Sequence, residues 1–355
     1  MTSSYGENMK LSIFGSSHGP EIGMKLERIR AGLPVDTDKL QTFLNRRAPG
    51  RNEWSTSRKE ADVPHFTSGL TDGCTNGESI TAVIYNENVR SKDYESLKHI
   101  PRPGHADYAA WMKYGLDFDM SGGGPFSGRM TAPLCIAGGM CKQWLEAMGI
   151  RIGAHILRIA EMYDNHFDPL NPQLDAIDTS FPTLLPLSGK AMQLVIDNVK
   201  AEGESVGGRI ECAVTGLPAG IGGPMFEGVE SKIAQIVYAI PGIKGLAFGA
   251  MRGFGSLNND AFTIENGMVH TKTNRCGGIL GGITNGMPVI FSVDVKPTPS
   301  ISKPQKSVNL KTMEEVTIQV QGRHDPCIVP RAVPVVEAAA AIAIYDMILG
   351  NEPNA

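Results

Sequence analysis

The segment AVPVVEAAAAIAIYDMIL, residues 332–349, is the longest apolar run in the chain, and two acids, Glu337 and Asp346, interrupt it. A membrane-spanning helix needs about 20 predominantly apolar residues with few or no charges. The pattern therefore predicts a helix over residues 331–349 that is buried in the core of a folded protein. We expect no membrane partner.

Length and composition indicate a globular protein with a substantial core. The chain has 355 residues, 41% of them hydrophobic, which suits one large domain or two modest ones. Its six cysteines show no CxxC or zinc-type spacing, and no secretory apolar segment precedes the first predicted strand. Free thiols in a reducing cytoplasm are the simplest interpretation, and we expect no metal site.

The charge distribution argues against nucleic acid and leaves a small anionic ligand open. The net charge is −4, whereas nucleic-acid binders usually carry a basic surface. Two basic segments stand out, NRRAPGRNEWSTSRKE at 45–60 and KPTPSISKPQK at 296–306. A proline and a glycine interrupt the first segment, so we predict a loop for its first half. Either segment is a solvated surface or a binding loop for a highly anionic ligand.

Hydrophobic periodicity interleaves strands and helices along the whole chain. Alternating or short apolar runs predict strands at 10–14, 22–29, 79–85, 151–159, 207–214, 287–293 and 315–321. Helical spacing predicts helices at 37–47, 105–114, 129–148, 188–202, 226–239 and 331–349. No repeat or clear linker is present, so we expect a single mixed α/β domain over residues 1–355. A doubly wound parallel sheet is not required, because strands and helices do not alternate strictly.

Glycine is abundant and clustered. The chain has 41 glycines, with clusters such as SGGGPFSG at 121–128 and CGGILGGITNG at 276–286. Neither a GxxxxGK[ST] loop nor a GxGxxG turn that opens a helix is present. Each cluster by itself suits an ordinary turn. Several clusters beside two basic segments also suit close approach of the backbone to a phosphate or a flat ring.

Three histidines share a setting of glycine, proline or arginine: His18 in GSSHG, His105 in RPGHADY and His324 in GRHDP. Each taken singly suits a structural role. Metal binding is disfavoured because no HxxxH or HExxH spacing occurs, whereas proton transfer near neutral pH suits imidazole. In GRHDP we expect Arg323 to keep Asp325 ionised.

Eight segments together resemble one known family. In chain order they are FGSSHG, RRAPG, NENVRSKDY, RPGHADY, GGGPFSGRMTA, GGILGGITNGMPV, KPTPSIS and GRHDPCIVPRAVPVVEA, and they resemble the signature segments of chorismate synthase. The resemblance implies an α+β fold arranged as a β-α-β sandwich and a homotetramer. It also implies 1,4-anti elimination of phosphate from 5-enolpyruvylshikimate 3-phosphate, with reduced FMN required and no net oxidation.

The resemblance also implies roles for individual residues. His18 would be the general acid towards the phosphate, with Ser17 as a neighbouring hydroxyl, and His105 would stabilise the reduced, anionic flavin as an imidazolium. Asp325 would accept a proton from flavin N5. The implied flavin contacts are Ser127, Pro241, Gly242, Gly281, Lys296, Pro297, Thr298, Pro299, Ser300 and Arg323. Since the substrate carries two carboxylates and a phosphate, we expect Arg46, Arg47 and Arg323 to bind it.

Some positions depart from the family's usual pattern. They are Ser16 for glutamate, Ala48 and Glu53 for arginines, Asn88 for aspartate, Pro125 and Phe126 for Arg-Ser, and Met130 for glutamate. Arg51 is a candidate substitute for the arginine that is missing at Glu53. The departures concern mainly how the flavin phosphate and ring edge are held.

Two other functions remain as alternatives, and the source of reduced flavin is a separate question. GRHDP superficially resembles the Arg-His-Gly motif of phosphohydrolases that use a histidine nucleophile, and a non-catalytic flavin-binding protein is the second alternative. The family's loop around Arg47 is linked with a nicotinamide nucleotide, NADP(H). However, the chain has no dinucleotide fingerprint. We therefore expect an external source of reduced flavin.

Overall fold

A long helix, α7 at Val329–Asn351, lies at the centre of the fold. The computed structural model describes residues 2–51, 54–56, 60–86, 98–320, 322 and 324–351. Within that part of the chain, α7 is the one helix long and apolar enough to cross a membrane, but 89% of its most apolar stretch is buried inside the protein. The prediction of a buried core helix is confirmed.

Six further helices and eighteen strands are present in the described part of the chain. The other helices are α1 Thr37–Arg47, α2 Asp107–Tyr114, α3 Thr131–Ala147, α4 Pro186–Ala201, α5 Val229–Val237 and α6 Gly255–Asn258. The first nine strands are β1 Thr2–Tyr5, β2 Lys10–Gly15, β3 Glu21–Glu27, β4 His65–Ser68, β5 Leu70–Thr71, β6 Cys74–Thr75, β7 Ile80–Tyr85, β8 Arg151–Ile159 and β9 Met162–Tyr163. The remaining strands are β10 Gly208–Thr215, β11 Ile243–Phe248, β12 Phe262–Glu265, β13 Met268–Thr271, β14 Ile279–Leu280, β15 Ile283–Thr284, β16 Val289–Val295, β17 Gln305–Asn309 and β18 Glu314–Ile318.

Two five-stranded antiparallel sheets enclose a layer of helices. The strand order is β1-β2-β3-β7-β4 in the first sheet and β11-β16-β10-β8-β9 in the second. Helix α3 packs on β2, β3 and β7 of the first sheet, whereas α7 packs on β8 and β10 of the second. The two helices also pack on each other, which gives the predicted β-α-β sandwich.

Small residues let the central helices approach closely. A Cβ atom on Gly138 of α3 would overlap the backbone and side chain of Ala338 on α7. A Cβ atom on Gly139, the next residue, would overlap Leu40 of α1. Consecutive glycines on α3 therefore serve two different helix contacts, because neighbouring helix positions point about 100° apart.

A buried carboxylate on α7 ties the helix layer together. Glu337 accepts hydrogen bonds from Arg46 of α1 at 2.7 and 2.9 Å and from Lys142 of α3 at 2.5 Å. It also accepts from the backbone N–H of Ala154 on β8 at 3.2 Å. Burial alone would raise the pKa of Glu337, but Arg46 and Lys142 outweigh burial and lower that pKa to about 2.

Hydrophobic periodicity predicts the long elements and does not predict the short ones. Every predicted strand and helix overlaps an observed element, and the mixed α/β class is confirmed. The elements that were not predicted are β1, β4, β5, β6, β9, β11 to β15, β17 and α6, because runs of two to six residues carry little periodicity. The predicted loop in the first half of 45–60 was wrong in part. Helix α1 continues through Arg46 and Arg47, where basic side chains favour the helix C-terminus.

We expect Glu337→Ala to lower the free energy of unfolding by about 3–5 kcal/mol, because it leaves Arg46 and Lys142 without their buried partner. Chemical denaturation of parent and variant measures this difference. Since the folded-state pKa of Glu337 is depressed, its stabilisation is complete above the ordinary value of 4.5 and is lost as the pH falls towards 2. The difference between parent and variant should shrink over that range.

Glu146→Ala is the matched control. Its carboxylate pairs with Lys39 on the surface at 2.5 Å, with side chains 30% and 56% exposed. A surface pair contributes less than about 1 kcal/mol. Equal losses in the two variants would contradict the central role of Glu337.

Candidate active site

A cavity of about 620 Å³ collects most of the predicted site residues. The end of α1 and the residues after it form one part of its wall. The other parts come from residues 102–106, 122–131, 238–244, 296–300 and 324–335. The last segment runs into α7, so the central helix supplies one side of the cavity.

The glycine-rich turn at 121–128 brings the two predicted catalytic histidines together. Its three consecutive glycines have φ angles of 59°, 91° and 52°. A Cβ atom on Gly122 would overlap the ring of His18, and one on Gly123 would lie 3.2 Å from His105 Nε2. Residues without a side chain are therefore required for both imidazoles to lie against this turn.

Ser17 fixes the orientation of His18. Its Oγ donates to the carbonyl of Ser121 at 3.2 Å and lies 3.2 Å from His18 Nδ1. A hydroxyl has one hydrogen, so the same oxygen accepts from Nδ1–H of the imidazole. In this tautomer of the neutral ring, the lone pair is on Nε2.

His105 belongs to a buried charge cluster with Arg102 and Asp107. Its Nδ1 lies 2.7 Å from Asp107 Oδ1, and Arg102 Nε donates to Asp107 Oδ2 at 2.7 Å. Burial lowers the pKa of His105, and the charges of Arg102 and Lys296 lower it further, against the opposing effect of Asp107. The protein itself therefore favours a neutral imidazole at pH 7, and the imidazolium that the family resemblance implies beside reduced flavin stays a prediction.

Two arginines of the wall share one carboxylate. The side chain of Asp62 is fully buried and pairs with both Arg47 and Arg129, and Glu60 lies 2.7 Å from Arg129. Burial would raise the pKa of Asp62, but Arg47 and Arg129 outweigh it and lower that pKa. Asp62 therefore stays ionised and orients both guanidinium groups.

Asp325 is held from two sides. The backbone N–H of Thr56 donates to Oδ1 at 2.7 Å, and Arg331 pairs with Oδ2. Arg331 Nε also donates to the carbonyl of Arg47 at 3.0 Å, which joins the start of α7 to the end of α1. The expected partner Arg323 lies outside the described residues, and the cation that the structure shows beside Asp325 is Arg331.

Two buried polar atoms of the wall, Arg129 Nη2 and Thr298 Oγ1, have no hydrogen-bond partner within the described ranges. Buried donors are costly to leave unsatisfied. Burial also lowers the pKa of Arg129 and of Arg331. The charged residues of the wall are Arg47, Arg102, Arg129, Lys244, Lys296, Arg331, Glu60 and Asp325. This excess of positive charge fits a small anionic ligand.

Most of the predicted site residues line this cavity or lie against it. Those in the wall are Arg47, His105, Ser127, Pro241, Gly242, Lys296, Pro297, Thr298, Pro299, Ser300 and Asp325. Ser17 and His18 lie against Gly122, which is itself in the wall. Arg323 and two of the departures, Glu53 and Asn88, lie outside the described residues.

Arg46 and Gly281 are predicted contacts that do not line the cavity. The guanidinium of Arg46 is committed to Glu337 through two hydrogen bonds. Gly281 lies in the turn between β14 and β15, where a Cβ atom would meet nothing within 4 Å.

The second basic segment divides between binding and surface roles. Lys296 lines the cavity, whereas Lys303 pairs with Glu202 and Glu204 at the surface. The Nζ of Lys306 lies 3.2 Å from a threonine hydroxyl on the neighbouring strand. The solvated-surface interpretation therefore holds for Lys303 and Lys306.

Five residues that shape the cavity were not singled out from the sequence: Arg102, Arg129, Arg331, Asp62 and Asp107. Four of them lie inside quoted motifs, namely RPGHADY, GGGPFSGRMTA and the PRAVP part of the last segment. The signal that could have identified the arginines is their position next to proline or glycine in such a motif. Asp62 gives no signal, because its role depends on two arginines far away in the sequence.

The departures at Pro125 and Phe126 change the character of the cavity mouth. Both residues line the cavity, and Phe126 is 37% exposed. Its ring centroid lies 6.5 Å from that of Tyr114. An apolar surface therefore stands where the family's usual pattern has arginine and serine.

A mixed helix-and-strand fold with imidazoles and buried arginines on one cavity defines an enzyme that acts on a small anionic substrate. The chorismate synthase family model matches residues 9–349. The chain belongs to the chorismate synthase family. Its function is therefore formation of chorismate in the shikimate pathway, and a phosphohydrolase is not supported.

Relatives and a solved structure agree with this assignment. A chorismate synthase of Lancefieldella parvula is 45% identical, covering 98% of this chain and 96% of that protein. One of Methanobrevibacter smithii is 41% identical, covering 98% of this chain and 96% of that protein. A crystal structure of chorismate synthase superposes with a TM-score of 0.77 at 27% identity, covering 97% of this chain and 93% of that one.

Gly122→Ala should reduce chorismate formation at least about 100-fold, because the new Cβ displaces the His18 ring and small misplacements of catalytic groups have effects of this size. Gly115→Ala is the control, since Gly115 has a φ of 93° but no atom within 4 Å of an added Cβ. Turnover measurements, with circular dichroism to check folding, compare the two. Equal activities in both variants would show that the contact between Gly122 and His18 is unimportant.

Proposed function

We propose that the cavity converts 5-enolpyruvylshikimate 3-phosphate to chorismate by 1,4-anti elimination. The bond from C3 to the phosphate oxygen breaks, the C6 hydrogen is lost, and a second ring double bond forms. This makes the protein a carbon–oxygen lyase. The observation that carries the proposal is the meeting of Arg47, Arg129, Arg331 and His105 at one cavity, with His18 against Gly122 in its wall.

The arginines suit the three anionic groups of this substrate. Arg47 and Arg129 are nearly fully buried and are oriented by Asp62, so their guanidinium planes are fixed before a ligand binds. Arg129 Nη2 still has a hydrogen bond to give within the described structure. Planar guanidinium groups bind carboxylates and phosphates through paired hydrogen bonds. We assign phosphate and carboxylate recognition to Arg47, Arg129 and Arg331.

His18 acts as the general acid. Phosphate is a poor leaving group as a trianion, so proton donation to its oxygen assists breakage of the C3–O bond. Ser17 holds Nδ1 of His18, which leaves Nε2 as the atom that donates the proton. The absence of a side chain at Gly122 lets the Nδ1–Cε1 edge of the ring lie against the glycine turn.

The residues of the cavity fit reduced FMN as the cofactor. The backbone of 296–300 and of Pro241 and Gly242 lines the cavity, and Thr298 Oγ1 is a buried donor without a partner in the described structure. Lys296 and Lys244 supply positive charge. Reduced FMN, when bound, supplies an electron-rich ring that assists loss of phosphate and of the C6 hydrogen without net oxidation.

Two side chains complete the proton path. We assign to Asp325 the acceptance of a proton; its Oδ2 pairs with Arg331, and its Oδ1 accepts from the N–H of Thr56. His105 presents Nε2 to the glycine turn and counterbalances negative charge in the cavity when that nitrogen is protonated.

Exposed apolar side chains support the expected homotetramer. Met225, Phe226, Met251, Phe254 and Ile264 are each 74–83% exposed. Apolar patches of this kind on one protein mark association surfaces. The six cysteines are all free thiols, which suits a cytoplasmic protein. We also propose a single domain over residues 1–355.

We expect the purified protein to form chorismate from 5-enolpyruvylshikimate 3-phosphate and chemically reduced FMN under anaerobic conditions. We expect no steady formation from NADPH and oxidised FMN, because the chain has no dinucleotide fingerprint. Chorismate absorbance with and without dithionite or a separate flavin reductase separates the two conditions.

Steady turnover with NADPH and FMN alone would contradict the need for an external source of reduced flavin. Release of phosphate from generic phosphomonoesters without chorismate formation would contradict the proposed function itself.

Asp325→Asn should bind flavin but reduce turnover about 10²- to 10⁴-fold, because an amide cannot accept a proton. Flavin fluorescence measures binding, and chorismate formation measures turnover. Asp175→Asn is the control, since it breaks an aspartate–arginine pair with Arg151 far from the cavity, where Asp175 is 84% exposed. If Asp325→Asn matched the parent enzyme, Asp325 would merely orient Arg331.

A further inference from the structure

Asp107 occupies an unusual position behind the cavity. It is the first residue of α2, its side chain is 3% exposed, and one carboxylate serves two partners. Oδ2 accepts from Arg102 Nε at 2.7 Å and from the backbone N–H of Arg102 at 2.9 Å. Oδ1 accepts from Arg102 Nη2 at 2.8 Å and contacts His105 Nδ1 at 2.7 Å. Within the described residues, the hydrogen bonds of this carboxylate are with Arg102 and His105.

The contacts determine which nitrogen of His105 carries the proton. Arg102 holds Asp107 in its ionised form and lowers the pKa of this carboxyl despite its burial, so Asp107 can only accept hydrogen bonds. The 2.7 Å contact to His105 therefore requires a hydrogen on Nδ1. In the neutral imidazole the lone pair is then on Nε2.

Nε2 is the nitrogen that faces the site. An atom in the Cβ position of Gly123 would lie 3.2 Å from His105 Nε2 and 3.4 Å from Cε1, so this edge of the ring lies against the glycine turn. His105 also lines the cavity. The same ring therefore has one nitrogen fixed by Asp107 and the other directed towards the ligand space.

We propose that Asp107 is a positioning residue that holds His105 in its Nδ1–H form, so that Nε2 takes up a proton from solvent when an anionic ligand enters the cavity. The identity of that ligand as reduced FMN rests on the proposed function. Asp107 itself does not touch the ligand space, since it is absent from the cavity wall.

The charges around His105 explain why its imidazole takes up a proton only when an anionic ligand binds. Arg102 and Lys296 face the ring and lower its pKa together with burial, while Asp107 raises it. Lys296 also donates to the carbonyl of Gly104, so it is held close to His105. A negative charge in the cavity offsets both cations, and the pKa of His105 then rises.

Nuclear magnetic resonance on protein with ¹⁵N-labelled histidine tests the tautomer without any ligand. The parent should show an Nδ1–H imidazole for His105, identified by comparison with His105→Ala. Asp107→Asn should lower the pKa of His105 by about 1, and Arg102→Gln should raise it by about 1. Asp117→Asn, an exposed aspartate after α2, should leave it unchanged.

Calorimetry and kinetics test the consequence. Anaerobic titration of reduced FMN at pH 7.5 in two buffers of different ionisation enthalpy measures proton uptake. The parent should take up more protons than His105→Ala, and Asp107→Asn should lose this difference. Its turnover should fall about 10- to 100-fold, with Asp107→Glu restoring part of the activity, as expected for a residue that orients a catalytic group.

The outcomes separate this inference from the proposed function. An Nε2–H imidazole in the parent, an unchanged pKa in Asp107→Asn, or equal pH profiles of turnover for Asp107→Asn and the parent would overturn the role of Asp107, even in an active chorismate synthase. Absence of chorismate formation by the parent, with the expected tautomer and shifts, would overturn the proposed function alone.

Discussion

A single buried carboxylate, Glu337, sets the geometry on which the cavity depends. It lies in the middle of α7 and is neutralised by cations from α1 and α3, so removing this carboxylate would leave both cations without it. The ion pairs also link the helix layer to the site. Arg46 precedes Arg47 of the cavity wall, and α7 begins beside Arg331 and Asp325. Core and site are therefore held by the same helices.

At two places, a buried carboxylate behind the cavity wall orients arginine side chains that line the cavity. Asp62 serves Arg47 and Arg129, and Asp107 serves Arg102. Each guanidinium has five N–H donors, so a carboxylate partner occupies only some of them. Within the described residues, Arg129 Nη2 is such a remaining donor and can bind a ligand anion. The carboxylates also reduce the repulsion between neighbouring cations, which would otherwise oppose folding.

Much of the fold follows from local pattern, and much of the site does not. Alternation and helical spacing located the long elements, since burial of one face imposes a period on the sequence. Motifs identified His18, His105 and Asp325 as the chemical groups. The two histidines meet at a glycine turn about 100 residues away from His18, which no local pattern reveals. The protonation state of His105 likewise depends on its neighbours in space.

The sequence by itself determined that residues 332–349 form a buried helix, because an apolar run broken by acids suits a protein core and not a lipid bilayer. Only the tertiary structure decided which residues Glu337 pairs with and which arginine lines the cavity. Arg46 and Arg47 are equivalent as sequence, yet successive helix side chains point about 100° apart. One is therefore directed to Glu337, 291 residues away, and the other to the cavity.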